Sequence, residues 1–424
     1  LLLSILKGDI FMRLTGLGKL VILILAIGLA IGGWNAWQKA SGSAGGLKLP
    51  NIQTPRVNLP SSDNGQNNGK GQDPAAENSN PNTPLADNEI PFVTTAAKQD
   101  WVQDQINRFN EESGGQYKIR VIPLASRQAM HDILQGKVQP VLWSPGSPIW
   151  PARLSEAWSQ KNGNTILDMN DPNGYRVFLR SPLVFLTTQE KARFLRPLLS
   201  GPNSWQNLRR LSLNPQRTPW GSFRFSHADP LTSSSGMLTL GLIMSDYAGR
   251  TGQGGQLQSL ASDKKFWQYV GELERSLVYD KPAQEGTTKL TKAFLEDTTR
   301  YDVITAYESA ALEAAAKQPE IAVIYPSPTA VSEHAVSLFS APWVTETQKQ
   351  GALKLIQFMG TPESVKGGLK YRFRPASAGS VSLRSELEQH SAQGFQQTYA
   401  SIELPPYEAL NAVAYQWAKR IARK

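Results

Sequence analysis

The chain contains no cysteine, which removes disulfides, thiolate metal ligands, a cysteine nucleophile and the lipidated cysteine of a lipoprotein. It also lacks any run of five or more Lys or Arg. The net charge of +9 is therefore spread along the sequence and forms no nucleic-acid-binding stripe. Catalytic signatures are missing as well: there is no Gly-x-Ser-x-Gly elbow, no His-Glu-x-x-His and no phosphate-binding Gly-x-x-x-x-Gly-Lys-Ser/Thr. The cluster Gly252-Gln253-Gly254-Gly255 follows a helical pattern in polar surroundings and reads as a loop. What remains is a globular composition, with 40% hydrophobic and 19% charged residues. At 424 residues the chain is too long for one ordinary core, so two lobes or two domains are expected.

One long uncharged run is present, over 20–37, bounded by Lys19 and Lys39. Eighteen helical residues would span roughly 27 Å, close to a hydrocarbon core. Arg13 and Lys19 on the near side favour a cytoplasmic N-terminus, and Trp34 and Trp37 suit the far interface. Residues 1–39 are thus expected to be a single-pass inner-membrane anchor, retained in preference to cleavage at Gly42-Ser43-Ala44. Met12-Arg13 reads as a plausible start. Residues 40–88 are rich in Gly, Ser, Asn, Gln, Pro and Asp and bury too little apolar surface to offset their ordering entropy. As a coil they would reach about 35–40 Å.

From residue 89 the pattern alternates. Strands are expected over 90–95, 117–122, 138–143, 180–187, 301–306 and 321–325, with Pro140 confining pairing to the residues after it. Helices are expected over 100–112, 127–135, 264–277, from Thr345 to Met359, from Thr361-Pro362 and over 405–421, with a surface loop at 250–262. This alternation predicts an α/β fold whose ligands sit beyond the carboxyl ends of the strands.

The densest local chemistry lies in 225–240, Phe-Ser-His-Ala-Asp-Pro-Leu-Thr-Ser-Ser-Ser-Gly-Met-Leu-Thr-Leu. Pro230 ends a strand, Thr232 to Ser235 offer hydroxyl caps, and Leu238, Leu240, Leu242 and Ile243 begin an apolar helix face. Free N–H groups flanked by hydroxyls, without a carboxylate among them, have the makeup of an anion site. His227 and Asp229, one residue apart, are too sparse for a metal site, and Asp229-Pro230 is ordinary turn chemistry, so these residues are expected to orient the serine loop.

Several segments carry a family likeness. They are Lys98-Gln99-Asp100-Trp101, the run Leu142-Trp143-Ser144-Pro145-Gly146-Ser147-Pro148-Ile149-Trp150, Ser181-Pro182-Leu183-Val184, Ser226 to Pro230 with Ser233 to Gly236, and Tyr307-Glu308. With them the chain resembles the bacterial extracellular solute-binding proteins of the type 2 periplasmic-binding fold, nearest the molybdate- and sulfate-type receptors, over about 89–424. The resemblance implies a non-enzymatic receptor whose two α/β lobes close on a solute for a transporter. Lobe one is expected at about 89–183 plus 305–424 and lobe two at about 184–304. Thr94, Thr95, Ser144, Gly146, Ser147, Thr232, Ser233, Ser234, Ser235, Gly236 and Tyr307 are the expected ligand contacts, while Glu308 positions a loop or pairs with a cation. No cofactor or nucleic acid is expected. The expected partners are a small solute, an oxyanion foremost, the membrane through the N-terminal helix, and an ABC permease or a sensory protein. The domain would lie on the periplasmic or extracellular side. An anchored receptor departs from the released or lipidated norm, which leaves a sensory module without a transported ligand as the alternative. A serine hydrolase would require a Ser within reach of a carboxylate-held His227.

Overall fold

The structure is a computed structural model that describes residues 88–214, 216, 218–376 and 386–422. All of them fall within one compact unit, Asp73–Lys424. The expected membrane run at 20–37 and all but the last residue of the expected linker lie outside the described residues. Among the described residues no helix is long and apolar enough to cross a membrane.

Strands are β1 (Glu89–Thr94), β2 (Lys118–Pro123), β3 (Leu142–Ser144), β4 (Tyr175–Thr188), β5 (Phe225–Ser226), β6 (Val303–Tyr307), β7 (Ile321–Ile324), β8 (Val331–Leu338) and β9 (Arg374–Pro375). The first helices are α1 (Gln99–Glu112), α2 (Ser126–Leu134), α3 (Ile149–Asn162), α4 (Gln189–Leu199), α5 (Ser204–Leu213) and α6 (Ser234–Thr251). They are followed by α7 (Lys264–Leu273), α8 (Lys281–Gln284), α9 (Thr287–Glu296), α10 (Glu308–Lys317), α11 (Glu346–Met359), α12 (Pro362–Lys370) and α13 (Tyr407–Arg420).

Two groups of strands share β4. Its first half pairs antiparallel with β8 and β9, and beyond β8 lie β3, β1 and β2, the last three mutually parallel. Its second half, from Leu183 on, pairs antiparallel with β6 and β7, and β6 carries β5 in parallel. The switch falls at Pro182-Leu183, where proline brings no N–H to either ladder and Leu183 N–H returns to Ala330 O at 2.8 Å. The two groups are the sheets of two lobes.

Chain passage differs from the sequence expectation. The return crossing lies between β7 and β8, at residues 325–330, and not near 305, because β6, α10 and β7 all pack in the second lobe. The C-terminal helix packs on both lobes: Leu410, Val413 and Trp417 of α13 enter a core that includes α6 and α7, while Asn411 and Tyr415 accept from Arg127 of α2 and Tyr407 meets Trp150 of α3. The segment from β6 to β7 alternates strand and helix as lobe one does, so periodicity carries no information about which sheet it joins.

Local signals read more reliably. Thr345 forms a capping box with Gln348, and Thr361 caps α12 with Pro362 in its first turn. β3 starts at Leu142, after Pro140, as a missing donor requires. The expected loop at 250–262 contains instead a 3₁₀ segment, Gly254–Ser262, held down by fully buried Leu260.

Helix α11 lies so close to the first sheet that a Cβ on Gly351 would stand 2.5 Å from Tyr117 and 2.7 Å from Ile90. Gly351→Ala is expected to destabilise the protein by about 1–3 kcal/mol through overpacking, measured as a shift in denaturation midpoint without a change in slope.

Candidate functional site

Where the lobes meet, the strand ends of both face one another. From lobe one come Thr94-Thr95 after β1, Ser126 at the start of α2, Gly146 and Trp150 after β3, and Ser332 and His334 on β8; from lobe two come Ser234 on α6 and Tyr307 at the end of β6. These groups form a buried seam. Ser234 Oγ accepts from Trp150 Nε1 at 2.9 Å and donates to Ser126 Oγ at 3.2 Å, which in turn accepts from Gly146 N–H at 2.9 Å. Ser332 Oγ donates to Gly146 O, and the Tyr307 hydroxyl bonds with Ser332 and Ser234. Burial pushes the Tyr307 phenol up to about 12, so it serves as a neutral hydroxyl. Gly146 is needed for the approach, since a Cβ there would meet Ser234 Oγ at 2.8 Å.

The other expected contacts have various fates. Thr94 Oγ1 donates to Ser144 O at 3.4 Å and Ser144 Oγ to Ala335 O at 2.7 Å, so both brace the first sheet. The Thr95 hydroxyl is buried without a protein partner. Ser147 Oγ accepts from Ile149 N–H at 3.4 Å. Thr232 and Ser233 fold back on Asp229 O. Ser233 occupies the N-cap of α6 without capping it; its hydroxyl meets Ser235 Oγ at 3.0 Å, and Thr287 donates to the same oxygen. The expected hydroxyl capping is therefore absent at α6: the serines bond each other and the opposite lobe. Gly236 is there for space, since a Cβ would stand 2.2 Å from Ala228 O.

His227, Asp229 and Glu308 do not touch the seam hydroxyls. Asp229 accepts from Leu231 N–H at 2.7 Å and Tyr279 OH at 2.9 Å, which fixes the turn before the serines. His227 is buried against Glu274 at 3.1 Å, its other ring nitrogen faces Ala228 O at 2.8 Å, and Trp417 donates to the same carboxylate at 2.6 Å. Both ring nitrogens are thus engaged, and neither faces a serine. Glu308 is fully buried and takes two bonds of 2.7 Å from Arg374, while Tyr325 also donates to it. Because Arg374 lies on β9 and Glu308 on α10, this ion pair ties the lobes together behind the seam.

Lys98, which carries part of the family likeness, is the charged member of the seam but is absent from the expected contacts. Lys98, buried at 2% exposure, closes the turn after Thr95; its ammonium donates to Pro145 O at 2.5 Å and meets His334 Nδ1 at 3.1 Å. Among the described residues no carboxylate bonds it, and burial holds its pKa well below the usual lysine value. Burial and the adjacent Lys98 likewise lower His334. Ser126, Ser332 and His334 were also missed, since nothing in their sequence surroundings separates them from ordinary helix-start and strand residues. Beside Lys98 a cavity of about 760 Å³ opens between the lobes, lined by 96–98, 100 and 101, by α9 and α10, and by 370, 371 and 373. None of the expected site residues lines it.

Two lobes on a shared strand, with strand-end donors meeting between them, define a two-lobed binding protein of the periplasmic type. Residues 104–392, more than half of the chain, match the family described as bacterial extracellular solute-binding protein, and the chain belongs to that family. It is a binding protein and not an enzyme. Similar solved structures include a periplasmic thiamin-binding protein, with TM-score 0.57 and 14% identity over 78% of this chain and 96% of that one. The sulfate-binding protein SubI of Mycobacterium tuberculosis gives 0.51 and 17% over 79% and 99%. The ferric-binding protein of Campylobacter jejuni gives 0.54 and 9% over 79% and 98%. At such identities the likeness shows the fold alone. No curated protein matches the sequence.

Two outcomes follow for the buried ion pairs. Removing Glu308 strands the Arg374 guanidinium, so Glu308→Ala is expected to cost about 3–5 kcal/mol in chemical denaturation. For His227, burial acts to lower the pKa, but the Glu274 carboxylate and the Ala228 carbonyl outweigh it and raise the group above its ordinary 6.5. A raised folded pKa gives stability that is full below the unfolded value and lost as pH rises through the folded one. His227→Gln is therefore expected to destabilise more at about pH 6 than at about pH 9, and the difference between variant and parent across pH checks it.

Proposed function

We propose that the protein is an extracytoplasmic receptor, tethered by the apolar run at 20–37, that closes its lobes on a small oxyanion and hands it to an ABC permease or a sensory partner. The observation that carries the ligand class is the chemistry of the seam. Ser126, Trp150, Ser234, Tyr307 and Ser332 and the Gly146 N–H supply neutral donors from both lobes. The loop after β3 is bonded by a cation, Lys98, through Pro145 O. The nearby carboxylates are spent elsewhere, Glu308 on Arg374 and Asp229 on its own turn. Hydrogen bonds to a charged solute contribute roughly 1.5–3 kcal/mol each, so a few convergent donors suffice for a bare anion. In this structure these donors bond one another, and a bound solute would take the place of those mutual bonds.

Solutes named for the similar structures are sulfate, thiamin and ferric ion, so the fold leaves the ligand to the loops. The proposed contacts are Thr95, Gly146, Ser234 and Tyr307 among the residues expected from sequence, joined by Ser126, Trp150 and Ser332. Thr94, Ser144, Ser147, Thr232, Ser233, Ser235 and Gly236 act as their scaffold.

Thermal denaturation with molybdate, sulfate, phosphate, sugars and amino acids tests the reading. A cognate oxyanion at about one hundred times its dissociation constant is expected to stabilise by about 2.7 kcal/mol, and Ser234→Ala to reduce that response. A response to sugars or amino acids but to no anion overturns the oxyanion assignment.

A further inference from the structure

A lysine with its whole side chain out of water is costly unless a carboxylate or several acceptors repay the lost hydration. Lys98 has two acceptors, Pro145 O and His334 Nδ1, and no carboxylate, although an ammonium carries three donors. His334 is itself held by Ser332 Oγ at 3.3 Å and lies edge-on to Tyr307 and Phe373, so it can accept from the lysine without moving. The cavity of about 760 Å³ reaches Lys98 between the lobes. Two further lining residues, Trp101 and Thr291, are at least nine-tenths buried and have a side-chain donor without a protein partner.

The charges around this space point the same way. On α9, Lys292 lies 3.7 Å from Glu296, and on α10, Lys317 lies 3.1 Å from Glu313, which also approaches Arg372 at 3.8 Å. Lys370 lies over the Tyr371 ring, and Asp100 on α1 is exposed at the rim. His334 on β8 meets the lysine and lies edge-on to Tyr307 of β6, and Glu308 at the head of α10 is neutralised by Arg374. The rim is thus largely paired, while the floor holds one cation.

We propose that Lys98 is the counter-charge for the anionic solute, reached through the cavity between the lobes and held in place by His334. This rests on the anion reading above and adds a specific residue and a measurable consequence. Burial lowers the proton affinity of the Lys98 amine and an anion beside it raises it again, so at a pH between the two conditions binding takes up part of a proton. In the pH range between the two states of Lys98, affinity is expected to fall about tenfold for each unit rise in pH.

Isothermal titration calorimetry of the full chain with molybdate, sulfate, phosphate and citrate, at about pH 8.5 in buffers of different ionisation enthalpy, reads the uptake directly. The expected result is net proton uptake with at least one anion. Lys98→Met, which replaces an uncompensated buried charge by an apolar side chain of similar shape, is expected to fold with equal or higher melting temperature. It should bind that anion about a hundredfold more weakly or worse and take up no proton. Anion binding by the parent without proton exchange, or equal binding by Lys98→Met, overturns the role of Lys98 and leaves the anion reading standing. Binding of none of the anions overturns both.

Discussion

The structure depends on one strand being shared. Fourteen residues of β4 serve two sheets, the first eight against β8 and the rest against β6 and β7, and every backbone group in that run has to find its partner on the correct side of Pro182. Lobe separation, the return crossing at 325–330 and the position of β6 beside the seam follow from that handover. The Glu308–Arg374 pair is its electrostatic counterpart. It joins α10 of one lobe to β9 of the other, and β9 itself pairs with the first half of β4.

The seam in front of this junction is held by many weak, neutral bonds. Hydroxyls suit a surface that must both close and open, because each can exchange a protein partner for water or solute at a net cost of roughly 0.5–1.5 kcal/mol. A carboxylate–guanidinium pair in the same place would resist opening and select against anions. The strong pairs, Glu308–Arg374 and His227–Glu274, sit behind the seam and within lobe two, where they fix the loops that carry the donors. Lys98 is the exception, a charge placed where the neutral groups are.

The family resemblance and the α/β class were legible because they rest on local features: alternating apolar runs, Thr caps three residues ahead of Gln348 and Ser364, and prolines at strand and helix starts. The serine-rich turn at 232–235 was legible as chemistry but not as geometry. Its composition announced caps, yet Ser234 turns to Trp150 and Ser126, more than eighty residues away in the chain, and α6 begins without a side-chain cap. At Gly236 the missing side chain makes room for the backbone at Ala228, a packing demand that composition alone does not reveal.

Part of the secondary structure, the resemblance to a two-lobed class and the donor-rich character of the loops could be read along the chain, because propensity, capping and composition act over a few residues; the strand Val331–Leu338 and the helix Gln189–Leu199 could not. Long-range packing settled which sheet β7 joins, that Glu308 is spent on Arg374, and that Lys98 is buried beside His334 without a carboxylate among the described residues. Those facts depend on contacts across tens to hundreds of residues and on desolvation. The same lysine would be an ordinary solvated cation in any turn that left it at the surface.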